Sequence, residues 1–331
     1  MRPKATFRLG KFLGSWEMIL VYILIIINVA LMALKSNVYF MPGTIQAIIQ
    51  SNLDLSFMVL GMVFILLLGD IDVSIASIMI MSAMTIGMVF EKSSNSFLAV
   101  FCGLAAGAAC GLFNGILIAL VNMPAVIVTI ASSMLFRGLV QIILGTNSLK
   151  VFPLWFGALS WDNLLGIPII LWCFILATII FGIILHKTLF GRTLYIIGNN
   201  RETAQYSGIP VKKVKIQVFT IMGLMCAISS LFFIGRFSGI SSTMATGYEL
   251  DTIAIAVLGG ISTSGGKGRI YGPFIAVLVM EFLFYALGLF RVEANSRKII
   301  TGVVLIVAVM IPVINEKLQA KAAFKKSTMS S

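Results

Sequence analysis

Four acids and one arginine stand where solvation does not explain them. Asp70 and Asp72 fall in Gly69-Asp70-Ile71-Asp72-Val73-Ser74, an interruption between two apolar runs. Glu249 and Asp251 follow Gly247 at the head of another short apolar run, and Arg137 lies inside a third, Ala125–Leu144. An ionised side chain at membrane depth is costly unless it meets water or a partner, so such groups mark pathways, proton relays or ion pairs. Each also has a plainer role. Asp72 suits the N-cap of the helix that follows, Glu249 and Asp251 suit surface caps, and Arg137 suits a structural salt bridge to one of these acids. Both readings stand on the residues alone.

Other chemistries fail on spacing. Gly260-Ile261-Ser262-Thr263-Ser264-Gly265-Gly266-Lys267 looks like a phosphate loop, but Gly268 stands where a Ser or Thr should hold Mg²⁺, and no β-strand pattern precedes it. It reads instead as a tight Gly-rich turn between closely packed helices. No Ser/His/Asp set and no HExxH occurs, so no catalytic residue is assigned. Cys102, Cys110, Cys173 and Cys226 all lie in apolar runs without metal spacing, and the single His186 sits at a helix end beside Lys187. No metal site is expected.

The elements that must hold these residues are membrane helices. The 331 residues are 59% hydrophobic and 11% charged, with mean hydropathy +1.05, far from a soluble domain. Only helices and closed barrels satisfy their backbone in lipid, and runs such as Met18–Leu34 lack the alternation of barrel strands. The expected fold is an all-α polytopic membrane protein, one permease-like domain over residues 1–331. Ten spans are read: Trp16–Leu34, Leu55–Gly69, Ile75–Phe90, Phe97–Val121, Ala125–Leu144, Ile167–Leu185, Ile216–Ile234, Gly247–Ile261, Tyr271–Phe290 and Ile299–Ile314. Asn122-Met123-Pro124 breaks the fourth from the fifth, Thr44–Gln50 is amphipathic, and 145–165 is an aromatic loop with Trp155 and Trp161. The second and eighth spans are short and Gly-broken, and such spans are the best sequence pointer to a transport site.

Charge orients the bundle. With the N-terminus inside, the inner segments carry 16 Lys and Arg and the outer segments 7, which puts both termini in the cytoplasm. The net charge of +12 is thus a topology signal and does not call for nucleic acid. The basic tail 315–331 and the loop 187–215 are the main inner segments. That loop holds Lys187, Arg192, Arg201, Lys212, Lys213 and Lys215. Within it, Asn199 or Asn200 can cap a short helix that begins at Arg201, with Gly208 at its exit and Pro210 as a stop. Ala204 and Gly208 are expected on one face of that helix. A docking element for a soluble partner and a solvated basic connector both fit.

Four ordered blocks carry a resemblance. GDIDVSIASIMIMSAM resembles the G-x-IDLS-x-GS signature of ribose-type permeases, the membrane subunits of ATP-binding-cassette importers for simple sugars. GLFNGILIALVNMPAVIVTIASSMLFRGL, FGRTLYIIGNNRETAQYSGIPVKKVK and GYELDTIAIAVLGGISTSGGKGRIYG are similar to that family's later blocks, and together they cover roughly residues 55–315. The family departs from this chain at Asp70, often Gly, at Asn199-Asn200 in place of Gly-Asn, and at Thr203 in place of Ala.

The resemblance implies a ten-helix permease in the bacterial inner membrane. It implies a second permease subunit, two ATPase subunits and an extracytoplasmic sugar-binding protein as partners. ATP and Mg²⁺ would belong to the ATPase, so this chain would carry no cofactor and would not be an enzyme. Asn199, Asn200, Arg201, Glu202, Thr203, Ala204 and Gly208 would form the coupling element. Ser74 and Asn114, in the first two blocks, join Asp70, Asp72, Arg137, Glu249 and Asp251 as candidate pathway residues. Pentose, deoxyhexose and autoinducer-2 permeases all fit. An ion-coupled secondary transporter using membrane carboxylates is the alternative.

Overall fold

A computed structural model describes residues 16–293 and, beyond them, 296, 299–304, 306, 307 and 310. The basic residues of the N-terminal stretch, Arg297, Lys298 and the tail 315–331 lie outside the described residues. Fourteen helices are assigned within residues 16–293: α1 (Trp16–Leu34), α2 (Ser36–Tyr39), α3 (Thr44–Gln50), α4 (Leu55–Leu67), α5 (Ile75–Ser93), α6 (Ser96–Ala119), α7 (Ala125–Leu144), α8 (Trp155–Trp161), α9 (Ile169–Lys187), α10 (Leu189–Asn199), α11 (Arg201–Tyr206), α12 (Val211–Phe237), α13 (Tyr248–Leu258) and α14 (Tyr271–Leu289). Seven of them, α1, α5, α6, α7, α9, α12 and α14, are long and apolar enough to cross a bilayer, and α3 with α4 makes an eighth that is bent by 47°. The chain is an all-α polytopic membrane protein.

The short spans have a physical reason. Every residue of α4 is buried, so this helix never meets lipid and need not match the roughly 30 Å of a hydrocarbon core. α13 has 11 residues and is equally enclosed over Ala254–Leu258. Both helices stop the same way. The Gly69 and Asp70 amides donate to the Leu66 and Ile65 carbonyls (2.9 and 3.2 Å), and the Gly260 and Ile261 amides donate to Val257 and Ala256 (2.8 and 3.2 Å). A left-handed glycine makes this 6→1 closure possible, and Gly69 and Gly260 have φ of 75° and 84°.

The core is α12, a 27-residue helix that packs on α4, α5, α6 and α8. Its contact with α6 is a close backbone approach. A Cβ on Gly107, Gly111 or Gly223 would collide with main-chain atoms of the facing helix. Small residues at four-residue spacing, Gly107, Gly111 and Gly115, provide that seam, while Gly103 packs on Ile86 of α5.

Three expectations change. The 145–165 loop is not irregular: Trp155–Trp161 is helical, and the two-stranded hairpin β1 (Asn163–Leu164) and β2 (Ile167–Pro168) follows. Leu165 and Gly166, at φ 55° and 78°, supply the two positive values that a tight hairpin turn needs. The seventh span starts at Val211, five residues before the expected Ile216, because Pro210 fixes its first turn. It also runs past Ile234 to Phe237, so Lys215 and Arg236, read as loop residues, belong to the helix.

Candidate functional site

The break after α4 leaves a non-helical stretch of chain, residues 70–74, inside the bundle. Non-helical backbone at such depth is tolerated only where protein encloses it or it lines a cavity. Asp72 and Ser74 are fully buried there, and so is Asn114 of α6. Asp72 Oδ1 accepts from the Ser74 amide (2.8 Å) and the Ser74 hydroxyl (2.6 Å). Asn114 Nδ2 in turn donates to Ser74 Oγ (2.8 Å). Asp72 is therefore not the N-cap of α5. That position belongs to Ser74, and Asp72 closes a turn onto it, because helical geometry starts two residues later than the acid. Among the described residues Asp72 Oδ2 and Asn114 Oδ1 have no hydrogen-bond partner. Two buried acceptors without donors, three residues joined across a helix break, form the polar heart of this half of the molecule.

Asp70 meets Lys215 of α12 at 2.5 Å, with side-chain exposures of 14% and 4%. This is a buried ion pair, so removing one partner leaves an uncompensated charge. Lys215 was counted as loop charge in the sequence, yet it is spent inside the fold.

The basic loop is built as two short helices. Thr188 accepts from the Gly191 amide and starts α10. Asn200 accepts from the Thr203 amide (2.9 Å) and caps α11. At its other end the Gly208 and Ile209 amides donate to Gln205 and Ala204 (3.0 and 3.1 Å), with Gly208 left-handed at φ 77°. α11 thus stops at Tyr206, and Gly208 is not on its face. Ala204 is fully buried against the rest of the chain, while Tyr206 is 93% exposed. Arg201, Glu202, Thr203 and Gln205 are exposed as well. The surface that α11 presents outward is therefore polar and aromatic. The small Ala204, expected to meet a partner, seats the helix on its own protein.

The base of α11 is fastened to both broken spans. The Gly266 amide donates to the Leu67 carbonyl at the end of α4 (2.9 Å). Gly198 lies so close to Leu67 O and the Gly266 backbone that any Cβ would collide. Tyr195 donates to the Gly268 carbonyl (2.8 Å), and burial pushes its phenol up from the ordinary value. The Gly-rich turn after α13, the end of α4 and the end of α10 are one joint.

The sequence pattern of the family described as "Branched-chain amino acid transport system / permease component" matches residues 44–309. The chain belongs to that family. The ribose import permease protein RbsC of Escherichia coli (strain K12) is 31% identical over 87% of this chain and 91% of its own length. The L-arabinose transport system permease protein AraH of the same strain is 32% identical over 93% of both chains. RbsC of Bacillus subtilis (strain 168) is 33% identical over 92% of both. No solved structure matches.

In this permease component the remaining candidate residues gather elsewhere. Arg137 donates to the carbonyls of Ser242 and Met244 (2.7 and 3.1 Å), and carbonyls rather than an acid take its hydrogen bonds. Glu249 accepts from the Gly247 amide at 3.3 Å, a capping contact at the head of α13, and Asp251 stands in the same first turn. These three are not joined to the Asp72 cluster.

A second ionic cluster was not anticipated. Arg236, near the end of α12, pairs with Asp54 at 3.0 Å. It also donates to Asn52 Oδ1 (2.9 Å), the Ser51 carbonyl and the Tyr248 hydroxyl. Ser51 donates to Glu281 of α14 (3.3 Å). Asp54 and Glu281 are buried. One signal for this cluster was visible: Glu281 is the sole acid in the apolar run Tyr271–Leu289, and a lone acid within a span implies a cation partner. Which cation is a matter of packing.

Proposed function

We propose that this chain is the transmembrane permease subunit of an ATP-binding-cassette importer that carries a simple sugar across the bacterial plasma membrane. The observation that carries the proposal is the joint under α11. An exposed, doubly capped helix is fastened through Gly198 and Gly266 to the end of α4, five residues before Asp72 of the buried Asp72–Ser74–Asn114 cluster. A push on α11 has a rigid route to the buried polar break at residues 70–74. Separate ATPase subunits supply that push and hold the ATP and Mg²⁺. A second permease subunit and an extracytoplasmic sugar-binding protein complete the assembly.

The substrate class rests on the relatives, whose names give ribose and L-arabinose. Asp72 Oδ2 and Asn114 Oδ1 suit it: both are acceptors without partners, and sugar hydroxyls are donors. They become reachable only when the break opens. The ion-coupled reading loses one of its candidate carboxylates, because Asp70 is paired with Lys215. Ten spans with both termini cytoplasmic complete the proposal.

Because Thr203 is exposed on α11, Thr203→Cys is the probe. Co-expressed with its ATPase, it should crosslink to that subunit and change efficiency with nucleotide. Gly208→Trp, at an exposed turn with open space around it but a left-handed φ of 77° that strains any side chain, should still insert and should lose ATPase association and uptake. Normal uptake in Gly208→Trp with no crosslink at 203 under any nucleotide leaves α11 as a plain basic loop and ends the proposal.

A further inference from the structure

A groove runs between α9 and α14, at the end where α9 passes into α10, and its lining shares no residue with the Asp72–Ser74–Asn114 cluster. Its volume is about 570 Å³, inside the roughly 300–1,000 Å³ of small-molecule sites. The walls are apolar: Ile175, Ile179 and Ile183 face Ile270, Phe274 and Ile275. Gly182 keeps the slot open, since a Cβ there would already touch Ile270.

The mouth of the slot is different. His186 and Lys187 end α9, Tyr271 begins α14, and Arg269 precedes it. The His186 and Tyr271 rings stack with centroids 5.8 Å apart; Lys187 lines the groove, and the exposed Arg269 stands two residues before Tyr271. His186 Nε2 is buried and has no hydrogen-bond partner among the described residues. The ion pairs found among those residues involve neither Lys187 nor Arg269.

Lys187 and an unpartnered imidazole nitrogen therefore stand at the open end of an apolar slot, with Arg269 adjoining in the chain. α9 is a membrane-spanning helix, and Leu176, Ile179, Ile180 and Ile183 are exposed along it, so this side meets lipid. Its last turn stands where the apolar helix gives way to the basic loop, which is headgroup level. A partner helix would fill the slot without using the cations, and a free anion would use the cations without filling the slot. An amphiphile with an acyl chain and an anionic head matches both halves.

We propose that the groove between α9 and α14 binds an anionic phospholipid of the inner leaflet. One acyl chain lies along Gly182 and Phe274, and Lys187 and Arg269 hold the phosphate with His186 at its side. Arg269 continues the turn that carries Gly266 onto Gly198, so the bound headgroup steadies the same joint that α11 rests on.

The test uses the full-length permease in detergent, with native mass spectrometry after addition of phosphatidylglycerol or phosphatidylcholine of equal chain length. Phosphatidylglycerol should be retained preferentially. Two basic contacts at a lipid surface are together worth roughly thirtyfold in affinity, so Lys187→Gln/Arg269→Gln should weaken its retention by about that factor. Lys212→Gln/Lys213→Gln, the same charge loss at exposed positions outside the groove, should leave it unchanged. Gly182→Phe, with every charge intact, should lose the adduct, and Ile179→Trp serves if that variant does not fold. Inorganic phosphate should not compete. Equal retention of the two lipids, equal weakening by the two charge pairs, an unaffected slot-filled variant, competition by phosphate or no adduct at all would each overturn the proposal.

Discussion

At the scale of single residues, burial decides what each charge does. Lys215 and Asp70 look alike in sequence with dozens of interfacial charges, yet they form a pair at 2.5 Å with almost no solvent. Breaking a buried pair costs about 3–5 kcal/mol, whereas replacing both partners by apolar groups is often close to neutral. Lys215→Met should therefore lower the unfolding temperature in detergent sharply, and Asp70→Leu/Lys215→Met should recover most of the loss. Transport separates structure from function here. A double variant that is stable and also imports sugar makes the pair a structural pin, while a stable variant without uptake makes the charges part of the cycle. If Lys215→Met alone leaves stability unchanged, the pair is not buried as described.

At the scale of elements, the joint between α10, the end of α4 and the Gly-rich turn is held by close backbone approach. Gly198 has no room for a methyl group, since Leu67 O and Gly266 stand against it. A rigid joint is what converts motion of α11 into opening of the 70–74 break. Gly198→Ala should push α10 off α4. It should keep ATPase binding, because the exposed face of α11 is untouched, and lose most coupled uptake, by tenfold or more if a shift of about 1 Å costs what it does elsewhere in positioned sites. The readout is ATPase activity against sugar uptake in proteoliposomes. Wild-type coupling in this variant would show that force reaches the break by another route. The break itself was legible as Gly69-Asp70-Ile71-Asp72; its hydrogen bonds were not, because the partner of Ser74 is 40 residues away at Asn114.

At the scale of the whole molecule, α12 is the post of the bundle. Lys215 and Arg236 lie near its two ends and both pair with acids that flank α4. They are roughly 30 Å apart at 1.5 Å per helical residue, about the thickness of the hydrocarbon core. The two helices thus cross the membrane as one clamped unit, with the polar break at one end and the Arg236–Asp54 cluster at the other. That places residue 70 and residue 54 on opposite sides, in keeping with the charge asymmetry of the loops. A reporter active only in the cytoplasm should be active when fused after residue 331 and silent within 145–165. The reverse pattern at either site inverts or breaks the ten-span topology.

The bundle of apolar helices, its break points and the capped helix in the basic loop were written in local pattern. Thr44–Gln50 and Ala125–Leu144 have in the structure the bounds that periodicity and turn residues assign them. These features depend on neighbours within a turn or two, where propensity and capping act. The pairing of charges, the inward turn of Ala204, the α6–α12 glycine seam and the joint at Gly198 were decided only by tertiary packing. Each of them joins residues far apart in the chain, and in a helical bundle the same apolar stripe can pack against several neighbours. Sequence spacing names a charge or a glycine; only the fold says what stands opposite it.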